Sequence, residues 1–430
     1  MKNRVVLAGL VLGAIAGFCR PQDASAIPVF ARKYGFNCTM CHSNMPRLND
    51  FGQRYRMNGY QLVGLGSLEQ TVLESPAPVA LRTSAGYVGT MFNEAAGLSD
   101  ATASDESDFR LNGLDLLSAG QLGRNIGYFM VYVPQIAAAR GVAGQEGSLE
   151  MASIVFSNLA STWLNVRAGR FEPAFVPFSV KRQLSVSPYA VYDATFQDGP
   201  ALSGAQSGVE ISGHGPSRFQ YAAGLVDGGG TNVAIDSPAD VYLRLAQVIG
   251  AGEGQTAGQR LGVMGYLGRA RPVDLLSVNS CRPADTLRVS ATRRSFYRVG
   301  LDACLNLGHA NLALQYLMAG DDWAFWGEKE HVIYSGGFGE LSWLPRTEFV
   351  GFARVDYLDA PKIDSRDRFR LTGGGRDYGD LLRLTVGGRY YIEDNVVIHG
   401  EYSHRSEKSV RKAIDDATES FVTARIDFAF

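Results

Sequence analysis

Apolar and polar residues alternate with a period of two through most of the chain after residue 78, and the final segment shows this pattern best. There the residues Val422, Ala424, Ile426, Phe428 and Phe430 alternate with Thr423, Arg425, Asp427 and Ala429. Because successive side chains of a strand point to opposite faces, this segment predicts a strand with one apolar and one charged face. Soluble sandwich strands also alternate, but they rarely end a chain on Phe, whereas the strands of a membrane barrel turn their apolar face toward lipid.

The same alternation predicts sixteen strands. They are expected at 79–92, 108–119, 125–138, 148–158, 162–172, 206–213, 217–227, 238–249, 258–270, 293–306, 309–319, 331–343, 346–357, 380–391, 395–405 and 418–430. An even strand number favours a transmembrane antiparallel β-barrel, so the predicted fold is mainly β, with a barrel over 76–430.

The predicted connections alternate in length. Those at 214–216, 308 and 393–394 are tight turns, while 173–205, 271–292 and 358–379 are long. Outer-membrane barrels have short periplasmic turns and long outer loops. The three long connections are therefore predicted to be outer loops.

The first 26 residues read as an export signal. Two basic side chains precede an apolar run from Val5 to Phe18, and a small-residue site follows at Ala24-Ser25-Ala26. The run is too short to cross a membrane as a helix, which favours cleavage after Ala26 over a membrane anchor.

The segment 27–75 contains the strongest chemical signal, Cys38-Thr39-Met40-Cys41-His42. Two thiols separated by two residues can each add to a haem vinyl group, and the following His then faces the iron. A zinc site would need a second Cys/His pair nearby, and the next histidine is His214. The sequence therefore predicts one covalent haem c, attached through Cys38 and Cys41, with His42 as the proximal iron ligand.

Apolar residues around this motif recur at spacings of three and four, which predicts a small helical segment. These side chains would either cover a haem edge or pack helix against helix. Met57 is the candidate distal ligand, because Met45 would stay on the proximal side of a continuing helix. A core-packing role for Met57, a barrel histidine as ligand, or an open coordination position all remain alternatives. The barrel histidines are His214, His309, His331, His399 and His404.

Two cysteines remain in the predicted barrel, Cys281 in an outer loop and Cys304 near a periplasmic turn. The apolar band between these ends is about 25 Å tall, and a disulfide needs Cα atoms within about 7 Å. Both cysteines are therefore predicted to be free thiols.

Overall charge and motifs exclude several functions. With 41 basic and 43 acidic residues, the chain lacks the excess positive charge that is typical of nucleic-acid-binding proteins. Phosphate-binding loops, dinucleotide fingerprints and His-Glu-x-x-His zinc helices do not occur in the sequence.

The opening of the predicted mature chain resembles a known family. Residues 28–38, together with Cys41-His42, Pro46, Leu48-Asn49, Phe51-Gly52 and Gly59-Tyr60, resemble the start of the fused monohaem cytochrome-porins, which include outer-membrane cytochromes of iron-oxidising bacteria. The match covers about forty residues; the rest agrees in architecture and barrel-type ending. A weaker resemblance links 169–175 to the strand-to-loop turn of phosphate-selective-type porins. The resemblance implies haem attachment at Cys38, Cys41 and His42.

The leading functional hypothesis is electron transfer across a bacterial outer membrane. The haem segment, facing the periplasm or plugging the barrel lumen, would exchange electrons between an extracellular metal ion or mineral, best guessed as Fe(II), and a periplasmic cytochrome or other carrier. The direction of electron flow does not follow from the residues. One alternative is a solute porin with a structural or gating haem plug, and another is a periplasmic cytochrome with a soluble all-β domain.

Overall fold

The computed structural model describes most of the predicted barrel and part of the N-terminal segment. The described residues are 34, 36, 40–42, 46–62, 71, 79–93, 106–135, 147–179, 183–194, 202–228, 239–251, 257–270, 294–325, 328–359, 380–393, 395–407 and 417–429. The predicted export signal, Cys38, Met45, Cys281 and Phe430 lie outside them.

All sixteen predicted strands are present. They are β1 Val79–Asn93, β2 Glu106–Gly123, β3 Ile126–Val133, β4 Ser148–Phe156, β5 Asn165–Phe171, β6 Gln206–His214, β7 Phe219–Val226, β8 Asp240–Ala251, β9 Ala257–Ala270, β10 Arg294–Leu307, β11 Ala310–Phe325, β12 Glu328–Arg346, β13 Phe349–Asp359, β14 Leu381–Glu393, β15 Val396–Glu407 and β16 Ala417–Ala429. The hairpin of β11 and β12 is longer than predicted, because these strands pair as far as Phe325 and Glu328.

The strands form one closed barrel in which each strand pairs antiparallel with its sequence neighbours. β1 and β16 close it in a continuous register from Arg82 opposite Ala429 to Asn93 opposite Thr418. Closure leaves no unpaired sheet edge, as a membrane-spanning sheet requires. The predicted fold class is confirmed.

Alternation along the strands separates an apolar outer surface from the lumen. In β9, Leu261, Val263 and Leu267 are about half exposed on the outside, while Met264 and Tyr266 are buried inside. β16 follows the same rule: Ile426 is exposed, while Arg425 and Asp427 form a luminal ion pair. The apolar outer face is the one that contacts lipid in membrane barrels.

Within the described part of the chain, two helices lie inside this wall. Helix α1, Asp50–Met57, belongs to the N-terminal segment, and α2, Ala190–Asp193, is a single turn between β5 and β6. Among the described residues, no helix is both long enough and apolar enough to cross a membrane.

The long connection after β5 departs from the prediction. The sequence predicts 173–205 as an outer loop, but its described residues enter the lumen and pack there. Phe175 stacks on Tyr266 with ring centroids 4.8 Å apart, and Tyr189 stacks on Phe338 at 4.1 Å. Burial of these aromatic side chains favours the inward position. These residues therefore belong to an apolar cluster inside the barrel.

Candidate functional site

The predicted haem motif adjoins helix α1. The backbone N–H of Asn49 donates to the carbonyl of Cys41 over 2.9 Å, and its side-chain amide donates to the carbonyl of Met40 over 3.0 Å. The same side chain caps the helix by accepting from the N–H of Gly52 at 2.9 Å. Asn49 therefore joins the motif to the first turn of α1. Sequence reasoning did not assign it this role, although an Asn just before a helix is a recognisable capping signal.

The imidazole of His42 is held in one tautomer. Its Nδ1 lies 3.1 Å from the carbonyl oxygen of Pro46 and 3.2 Å from that of Arg47. A carbonyl oxygen only accepts, so Nδ1 carries the proton and the lone pair is on Nε2. Metal-ligating histidines commonly use this arrangement, which orients the ring and raises its basicity. The His42 environment therefore fits the predicted proximal ligand.

A glycine allows the motif to approach the helix this closely. A Cβ added at Gly52 would lie 2.2 Å from the carbonyl oxygen of Cys41, a backbone atom. Burial in this region raises the pKa of the Cys41 thiol to about 11. An unattached thiol at this position would therefore stay protonated at neutral pH.

Met57 is at the other end of α1. It follows Gly52 by five residues, which places it about 140° around the helix from the face that contacts Cys41. Its side chain lines a luminal cavity. Leu48 lines the same cavity and also pairs with His42 in an isolated β-bridge, so the cavity begins next to the haem motif.

The cavity combines apolar and basic side chains. Leu48, Val155 and Phe178 contribute apolar surface. Five arginines and two glutamates also line it: Arg47, Arg56, Arg167, Arg244, Arg260, Glu172 and Glu210. A haem has an apolar ring and two propionate carboxylates, so the chemical character of this lining suits both parts of one. Sequence reasoning missed these arginines, because they come from the N-terminal segment and from three separate strands, and only the closed barrel brings them together.

Three further contacts hold the N-terminal segment inside the barrel. The fully buried Arg47 forms an ion pair with Glu340 of β12 and donates to the hydroxyl of Tyr189 over 2.8 Å. Desolvation by burial lowers the pKa of Arg47, but Glu340, Tyr189 and Cys304 together outweigh it, and the pKa is raised. Tyr60 stacks on Phe129 of β3 at 5.5 Å. This segment, residues 46–62, is the plug.

Close backbone contact also holds the plug against the barrel wall. A Cβ added at Gly127 of β3 would lie 1.9 Å from the carbonyl oxygen of Gly59, so two glycines let plug and wall touch. Beside them, the amide of Gln61 donates to Ser157 over 3.3 Å. These contacts involve strand ends next to the short turns, so the plug lies at the short-turn end of the lumen.

The barrel histidines are spread over the wall. His214 is closest to the plug, because its register partner Gln220 donates to Asp50 of α1 over 3.0 Å. His399 is fully buried and forms a hydrogen bond with the side chain of Glu401, and His404 forms one with the hydroxyl of Ser420. His331 pairs with Asp322 where both are 44% exposed. Within the described part of the chain, no three His, Cys, Asp or Glu side chains are grouped to hold a metal ion.

The cysteine prediction is addressed only at Cys304. Its thiol is free, lines the cavity, and accepts from the side-chain amide of Asn311 at 3.2 Å. Its position near the end of β10 next to the short turn agrees with the predicted layout.

Solved structures with a similar fold are bacterial porins and channels. An anion-selective porin from Comamonas acidovorans aligns with a TM-score of 0.56 and 12% identity, over 83% of this chain and 100% of its own. The outer membrane channel DcaP of Acinetobacter baumannii gives 0.56 and 10%, over 81% and 97%. OprB of Pseudomonas putida gives 0.53 and 11%, over 84% and 95%. The barrel has a porin fold.

At these identities the likeness concerns the fold. No protein-family model matches the chain, and no curated protein matches its sequence. The porin likeness supports an outer-membrane location for the barrel.

Proposed function

We propose that this chain is an outer-membrane barrel of porin type whose plug carries a covalent haem and transfers electrons across the membrane. The observation that carries the proposal is the joint position of Cys41 and His42, beside a plug seated in the lumen, with the His42 lone pair on Nε2. Cys38 and Cys41 would attach the haem, His42 would bind its iron, and Met57 is the candidate distal ligand. When bound, the haem supplies a one-electron redox centre.

The packed lumen supports electron transfer over free diffusion of solutes. Phe175 is fully buried, and so are Arg298, Arg354 and Glu340, which point into the lumen. Side chains this buried leave little water-filled path at their level. Electrons need no such path. The proposed partners are an extracellular metal ion or mineral, with Fe(II) as the best single guess, and a periplasmic electron carrier.

The second candidate is a solute porin in which the haem plug stabilises or gates the pore. The porin and channel structures that share this fold favour it. Solute passage through this barrel would require movement of the plug or of the connection between β5 and β6, residues 172–205. The two candidates therefore differ in what must cross the membrane.

One reconstitution experiment separates them. Full-length protein is inserted into liposomes that contain either a reducible redox dye or an Fe(II) chelator, and Fe(II) is added outside. Electron transfer reduces the dye without colouring the chelator. A pore colours the chelator, and the haem-free Cys38→Ala/Cys41→Ala variant colours it as well, because passage of Fe(II) itself needs no redox centre. Unreduced dye with an oriented, haem-loaded barrel would reject electron transfer.

A further inference from the structure

The luminal cavity beside the plug contains one arginine that differs from the others. Four of its five arginines form ion pairs with carboxylates: Arg47 with Glu340, Arg56 with Glu172, Arg167 with Glu210, and Arg244 with Asp302. Arg260, on the luminal side of β9 opposite Cys304, has no carboxylate partner within the described ranges. Its guanidinium instead lies 5.4 Å from the ring centre of Phe178.

Several arginines that line the cavity have donors without acceptors among the described residues. The Nε atoms of Arg260, Arg47 and Arg56 are buried and make no hydrogen bond to any described residue. A buried donor without an acceptor costs free energy, and a partly buried cation without a counter-charge costs more. A bound anion would accept hydrogen bonds from these donors and would also balance the charge of Arg260. The planar guanidinium suits a carboxylate or a phosphate, which it can bind through two parallel hydrogen bonds.

We propose that Arg260 is the centre of an anion site in the luminal cavity, bordered by Arg47 and Arg56, which binds a carboxylate or phosphate group. Two sources can supply that group. One is a propionate of the covalent haem, and this source rests on the proposed function. The other is a dissolved anion that enters the lumen.

Two features of the cavity suit the propionate. Apolar side chains line it beside the arginines, so an apolar ring with a charged edge matches both parts of the lining. Leu48 connects the cavity to His42 through the β-bridge, which places the attachment motif next to it. A dissolved anion would use only the basic part.

The first arm of the test uses haem-loaded full-length protein and measures the reduction potential of the haem. Removing a cation near the haem disfavours the reduced, less positive state. Arg260→Gln is therefore expected to lower the potential, and Arg260→Lys, which keeps the charge, to remain near the wild type. Arg389→Gln is the matched control, because Arg389 is a luminal arginine that pairs with Asp427 away from the cavity.

The second arm uses the haem-free Cys38→Ala/Cys41→Ala protein and measures binding of inorganic phosphate by calorimetry. Arg260→Gln is expected to weaken phosphate binding by about tenfold, which corresponds to about 1.4 kcal/mol. Arg260→Lys is expected to weaken it less, because an ammonium lacks the two-pronged geometry. Arg389→Gln is expected to bind as its parent does.

The two arms assign the source of the anion. A lowered potential identifies the propionate, and weakened phosphate binding without a change in potential identifies a dissolved anion. No effect of Arg260→Gln in either arm overturns the proposal. If the wild type carries no haem, the proposed function fails, while the phosphate arm still decides on the site. If Arg260→Gln does not assemble, unchanged phosphate binding in Arg260→Lys overturns the site.

Discussion

Gly52 is the residue at which helix α1 and the haem motif come into backbone contact. The space that a side chain would fill at this position is occupied by the carbonyl of Cys41. Asn49 fixes the same turn from the other side by bonding Cys41, Met40 and Gly52. The orientation of His42 therefore depends on two residues with no redox chemistry of their own.

Replacing Gly52 with Ala is expected to displace the Cys41–His42 turn and to lower covalent haem incorporation, measured by haem staining per folded barrel. In an unobstructed helix, Gly→Ala would be stabilising by about 1 kcal/mol. A loss of haem incorporation would therefore result from the steric clash with the Cys41 carbonyl and not from a change in helix propensity. Gly400→Ala is the control, because its added Cβ meets no heavy atom within 4 Å. Normal haem loading in Gly52→Ala would mean that the turn can move without consequence.

Met57→Ala is expected to lower the reduction potential and to remove the sulfur-to-iron charge-transfer band of the oxidised spectrum. A thioether ligand stabilises the reduced haem, so its loss favours the oxidised state. Met45→Ala is expected to leave both properties unchanged. An unaltered spectrum in Met57→Ala would transfer the search to the barrel histidines, beginning with His214, which adjoins α1.

At the level of elements, the plug and the segment 172–205 are joined to the wall and to each other. Arg47 of the plug contacts both Glu340 of β12 and Tyr189, which belongs to the inserted segment. Arg354 of β13 also donates to the carbonyls of Ser187 and Pro188. Burial raises the pKa of Tyr189 to about 12, so its hydroxyl remains a donor throughout the physiological range.

Arg47→Ala is expected to release the plug, because it leaves Glu340 buried without its closest cation. Breaking a buried pair costs about 3–5 kcal/mol, and the loss should be near the lower value, since Arg354 remains 3.7 Å from Glu340. Limited proteolysis of the folded barrel should then cleave residues 46–62 faster. Arg54→Ala is the control, as Arg54 is one-third exposed and pairs within its own helix. Equal cleavage rates would show that other contacts retain the plug.

For the whole molecule, the wall is continuous without the plug. Hydrogen-bonded pairing runs around all sixteen strands, and β1 and β16 close it directly. Stability of the barrel is therefore expected to come mainly from the wall and its inserted segment, while the haem depends on the plug.

Cys38→Ala/Cys41→Ala protein is expected to assemble as a barrel that lacks covalent haem. Heat-modifiable migration in detergent measures assembly, and haem staining measures attachment. Each single variant should lose one thioether bond. Failure of the double variant to assemble would show that the haem-loaded plug takes part in barrel folding.

The sequence by itself determined the sixteen strands and the haem-attachment prediction, because both depend on short-range patterns. Alternation with a period of two distinguishes lipid-facing from lumen-facing positions within a single strand. The haem-attachment prediction likewise depends on five consecutive residues, 38–42. The N-cap at Asn49 was also readable from its position before α1.

Only the tertiary structure decided what fills the lumen. Phe175 and Tyr189 could have served an outer loop equally well, and their burial follows from the partners Tyr266 and Phe338, which are distant in sequence. The cavity beside the plug has the same origin. Arg260 and Arg56 come close only because closure of the barrel folds distant segments around one space, and no local pattern records which residues will meet there.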